Sequence, residues 1–96
     1  MATGKVSKLD FTTTTGTVYS GDGLNPGQSD MRTFYPPAIP SGYKLHSLRS
    51  FVSEIGSFIA VPTAMSDTSA TVRFLNCGNT ATNPGIMTAV FNVVPK

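Results

Sequence analysis

Over Ala70-Thr71-Val72-Arg73-Phe74-Leu75-Asn76 the side chains alternate with a period of two. Ala70, Val72 and Phe74 point one way, Thr71 and Arg73 the other, which fits a strand with one buried and one solvated face. The rest of the chain withholds the residues that favour helices. Gln28 and Glu54 are its only Gln and Glu. Thr, Ser, Asn and Gly fill the polar positions instead, and β-branched Thr sits comfortably on a pleated surface.

The same reading extends along the chain. Ile86 to Val94 is a longer strand, apolar on both faces, with Ile86, Val90 and Val94 alternating against Met87, Ala89, Phe91 and Val93. A strand buried on both sides is central in a sandwich or lies at a subunit contact. Tyr43 to Ser53 reads as a strand with Leu45 and Phe51 on one face and Leu48 and Val52 on the other. Its imperfect phase predicts a bulge between Ser47 and Ser50. Ile55-Gly56-Ser57 then reads as a hairpin turn into Phe58-Ile59-Ala60-Val61, a strand limited by Pro62. Met31 to Tyr35 is a short strand stopped by Pro36-Pro37. Lys5 to Phe11 and Thr12 to Tyr19 form one long strand or two. Loops are expected at Gly21 to Gly27, Pro36 to Gly42 and Asn76 to Gly85. About seven strands at spacings of ~8–12 residues predict an antiparallel β-sandwich, jelly-roll-like, as a single domain over residues 1–96.

Ninety-six residues leave little room for a second core. A chain this short buries roughly 60–65% of its unfolded surface, so oligomerisation is a natural source of further stability. Disulfides are not: Cys77 is the only cysteine, which fits synthesis in a reducing cytoplasm. No apolar run follows Met1-Ala2-Thr3-Gly4-Lys5 to suggest a signal peptide, and none approaches the ~20 residues of a membrane-spanning helix. The net charge is +2, and Lys5, Lys8, Lys44, Lys96, Arg32, Arg49 and Arg73 are scattered. Neither a nucleic-acid partner nor membrane insertion is expected.

Residues for catalysis are few. His46, the only histidine, falls mid-strand, where a strand-face imidazole is the plainer reading. Cys77 with His46 lacks a third orienting group, and no Gly-x-Ser-x-Gly elbow exposes a serine. Asp22, Asp30 and Asp67 sit in or beside predicted turns, which accounts for them better than acid–base work. Asp22, Asn25 and Asp30 match no EF-hand spacing, and one Cys with one His excludes a zinc set. Gly21, Gly23 and Gly27 lack the lysine and following helix of a phosphate loop. No cofactor and no enzymatic activity are expected. Among the aromatics, Phe11, Phe34, Phe51, Phe58, Phe74 and Phe91 read mostly as core. Tyr19, Tyr35 and Tyr43 lie beside loops, where a ring packs while its hydroxyl stays wet, and are the candidate ligand contacts.

The segments Ile39-Pro40-Ser41-Gly42-Tyr43-Lys44, Phe58-Ile59-Ala60-Val61 and Thr71-Val72-Arg73-Phe74-Leu75-Asn76, with the Gly-led closing run Gly85 to Val94, resemble a known style of domain. They look like the small β-sandwich domains of tailed-bacteriophage and prophage virion proteins, found in tail fibres, baseplates and receptor-binding tips. The resemblance covers Ile39 to Val94 and carries no catalytic or ligand residue. It implies a virion protein made in the host cytoplasm without a signal peptide. It further implies a homo-oligomer, a trimer or larger ring, that contacts other virion proteins and a host-surface glycan. The doubly apolar strand makes Ile86, Met87, Ala89, Val90, Phe91 and Val93 the candidate oligomer interface. The rival expectation is a carbohydrate- or protein-binding module of a bacterial cell-surface system, using the three tyrosines and the loop from Asn76 to Gly85.

Overall fold

A computed structural model describes residues 12–96. The chain is all-β there, with six strands: β1 (Thr12–Ser20), β2 (Ser29–Phe34), β3 (Tyr43–Ser53), β4 (Phe58–Met65), β5 (Ala70–Asn76) and β6 (Gly85–Pro95). About seven were expected; the remaining one, over Lys5 to Phe11, lies outside the described residues. The strands form two antiparallel three-stranded sheets, ordered β1-β6-β3 and β2-β5-β4, an arrangement compatible with a β-sandwich. Successive strands run alternately between two ends. One end carries the long loops at residues 21–28, 54–57 and 77–84; the other carries the β4–β5 hairpin turn, where the Ser66 amide donates to the Ser69 carbonyl at 2.8 Å.

The core lies between the sheets. Met87, Ala89, Phe91 and Val93 of β6 face Phe34, Ala70, Val72 and Phe74 of β2 and β5, all essentially inaccessible to solvent. Phe34 meets Phe91 edge-on across the gap at 6.2 Å between ring centroids, and Phe51 stacks on Phe74 at 6.4 Å. Each buried Phe contributes about 1.5–3 kcal/mol through the apolar surface it removes from water.

The expected irregularity in β3 is present as two register shifts, between Leu45 and Ser47 and between Leu48 and Ser50. Each inserts one residue and inverts the alternation. Leu45, Leu48 and Phe51 therefore stand opposite Val93, Phe91 and Ala89, and all three point inward. Leu48 had been placed on the opposite face from Leu45 and Phe51; the bulge brings it round. The turn at Ile55 to Ser57 also differs from expectation. It is not a hairpin, because β3 pairs with β6 and β4 with β5. The chain crosses there from one sheet to the other, with Gly56 at φ 78°.

Candidate functional site

The register decides which side chains leave the core. On the first sheet the outward residues of β6 are Ile86, Thr88, Val90, Asn92 and Val94, since their neighbours in sequence point inward. β1 sets Thr13, Thr15, Thr17 and Tyr19 beside them, with Tyr19 directly opposite Ile86. β3 supplies Val52 opposite Thr88. The result is a face of short polar and β-branched side chains that becomes apolar toward the loop end. There Tyr19, Val52 and Ile86 are 68%, 63% and 49% exposed. Glu54 closes this patch. Its amide donates to the Ile86 carbonyl at 2.9 Å, and its carboxylate accepts the Ile86 amide at 3.1 Å.

The second sheet has a matching feature. Its outward residues include Met31 of β2, Arg73 and Leu75 of β5, and Ile59 and Val61 of β4. Ile59 and Val61 are both more than half exposed. Arg73 lies across the sheet, donating to the Ser29 hydroxyl at 3.0 Å and to the Met31 sulfur at 3.5 Å. A shallow groove of ≈ 230 Å³ runs between Ser29, Ile59, Val61, Arg73 and Leu75. That is below the ~300–1,000 Å³ of ordinary small-molecule pockets.

These placements revise the candidate interface. Met87, Ala89, Phe91 and Val93 are fully buried in the chain's own core and offer nothing to a second chain. Only Ile86 and Val90 of that set face outward, Val90 half-buried. The doubly apolar strand signalled a central position in its sheet, between β1 and β3. The sequence reading assigned no role to Ile59 and Val61, although β4 begins with the same apolar-on-both-faces pattern as β6.

The three tyrosines are not brought together. Tyr19 sits near the loop end of the first sheet. Tyr35 follows β2 at the opposite end and is 72% exposed, while Tyr43, also at that end, packs against the core. His46 and Cys77 are likewise far apart. The Leu45 amide bonds to the Asp67 carbonyl in the hairpin turn, whereas Cys77 follows β5 at the loop end, its amide on the Ser57 carbonyl. The His46 Nδ1 contacts the adjacent Ser47 hydroxyl at 3.1 Å. Asp22 and Asp30 both hold Arg32, at 2.8 and 2.7 Å, so a guanidinium stands where a cation would be sought. Among the described residues no three of His, Cys, Asp and Glu converge as metal ligands.

Comparison with protein-family models, with characterised proteins and with solved structures found no match.

Proposed function

We propose that this chain is a structural component of a tailed-phage or prophage virion: a jelly-roll-like β-sandwich in a tail, baseplate, fibre or capsid-surface assembly. It acts by symmetric self-association and by contact with a host surface, and it catalyses no reaction. The observation that carries the reading is the pair of apolar patches left on the outer faces of both sheets after the core is filled. Single exposed apolar residues are ordinary, but clustered ones mark contact surfaces. A chain of this length gains most from such contacts, because its own core is small. The wide separation of His46 from Cys77 is consistent with a non-catalytic role. Synthesis in the host cytoplasm and incorporation into the virion belong to the same proposal.

Light scattering on the purified protein tests it. The expected mass is that of three or more chains at micromolar concentration, unchanged on tenfold dilution. A clean monomer contradicts it. Tyr35, exposed beside the buried Pro36, favours a second reading as a glycan-binding module of a bacterial cell-surface system. Glycan-array binding that is lost in Tyr35→Ala and retained in Ile86→Asp would support that reading over self-association.

A further inference from the structure

We infer that neighbouring copies join face to back: the Tyr19, Val52 and Ile86 patch of one copy covers the Met31, Ile59 and Val61 patch of the next, with Glu54 meeting Arg73. This rests on the self-association proposed above and specifies its surfaces and its symmetry.

Charge is the deciding observation. Among the described acids, Asp22 and Asp30 are held by Arg32 and Asp67 lies in the hairpin turn at the far end. Glu54 alone adjoins an outer apolar patch. Among the described residues, Arg73 is the only charged one pointing out from the strands of the second sheet. Neither forms a salt bridge among the described residues, so each apolar patch carries one charge, and the two are opposite in sign. The cations of the first sheet lie on β3 below the apolar patch: Lys44 at the hairpin end, opposite Val94, and Arg49 at mid-strand, in the bulge opposite Phe91 and Val90, five residues before Glu54. A two-fold contact of like faces would put two charges of one sign, two Arg73 or two Glu54, into a single interface with no opposite charge from the other patch, which disfavours it. Face to back, the charges complement each other.

The two patches are also level. Tyr19, Val52 and Ile86 each lie one residue from the loop end of their strands, as do Ile59 and Leu75 on the other sheet. Joining level patches needs no shift along the strands, and the contact, being heterologous, repeats from copy to copy; it closes into a ring where each contact also turns the next copy by an equal fraction of a full turn. A contact with axial offset would climb into an open filament.

Sedimentation velocity on the full chain tests this with Glu54→Arg, Arg73→Glu and the double reversal. Each single reversal is expected to weaken assembly at least about tenfold in Kd, and the double reversal to restore it to within about threefold. If Glu54→Arg disturbs folding through the Ile86 amide, Val52→Arg places the same charge on the patch without touching that bond. An oligomer indifferent to both reversals, or one tightened by Arg73→Glu, overturns the face-to-back contact and leaves self-association standing. A monomeric wild type removes self-association itself.

Discussion

The Asn76 side chain donates from Nδ2 to the Leu24 carbonyl at 2.8 Å, joining the end of β5 to the middle of the loop between β1 and β2. The same nitrogen reaches the Thr80 carbonyl at 3.0 Å, and Oδ1 accepts the Gly78 amide at 2.9 Å. One buried amide thus organises two of the three loops at the end of the molecule that carries both apolar patches. Leu24 and Thr82 complete the join with reciprocal backbone bonds at 3.0 Å.

Asn76→Ala removes three hydrogen bonds; the Leu24 and Thr80 carbonyls keep the Thr82 amide and hydroxyl, while the Gly78 amide loses its acceptor. At about 0.5–1.5 kcal/mol net for each lost bond, the expected total is about 3 kcal/mol. For a domain of this size that lowers the melting midpoint by roughly 12–24 °C, measurable by thermal circular dichroism.

Gly85→Ala tests how Glu54 is held. Gly85 has φ 71°, and a Cβ there would lie 2.6 Å from the Glu54 Oε1. The backbone conformation alone costs about 1–2 kcal/mol, and the carboxylate must also leave the Ile86 amide. Gly27→Ala, at φ 82° with nothing within 4 Å, carries only the backbone cost. Urea titrations are expected to show the larger midpoint shift for Gly85→Ala, with unchanged slopes in both.

Phe74 joins the sheets, stacked on Phe51 and edge-on to Phe58 at 6.3 Å. Phe74→Ala is expected to cost about 3–5 kcal/mol, close to the lower end of a small domain's whole stability of about 5 kcal/mol. Val61→Ala, on the outer face, is expected to change monomer stability by less than about 0.5 kcal/mol. Denaturation below the assembly concentration separates the two.

The strands were legible where the local pattern was sufficient. Ala70 to Asn76 alternates cleanly because one face meets the core and the other does not. The broken phase of Tyr43 to Ser53 announced its bulges, though not that Leu48 would swing inward with Leu45 and Phe51. Pairing was less legible. Ile55 to Ser57 has hairpin spacing, yet β3 and β4 join different sheets, because strand partners are fixed by contacts distant in sequence. For β6, apolarity on both faces left inside and outside undecided. Only the register against β1 shows that Met87, Ala89, Phe91 and Val93 face in while Ile86 faces out. The Glu54 patch depends on that same register, whereas the outward side of Arg73 follows from the alternation of Ala70 to Asn76.

Disulfide trapping tests the central claim, that opposite faces of neighbouring copies meet. Cys77 is exposed, its thiol donating only to the Ser57 carbonyl at 3.2 Å, so Cys77→Ser provides a background with little cost. With Val52→Cys and Val61→Cys added together, mild oxidation should yield a ladder of covalent dimers, trimers and larger species, while either cysteine alone yields none. Covalent dimers from Val61→Cys alone, or no ladder from an assembled double variant, would contradict the account.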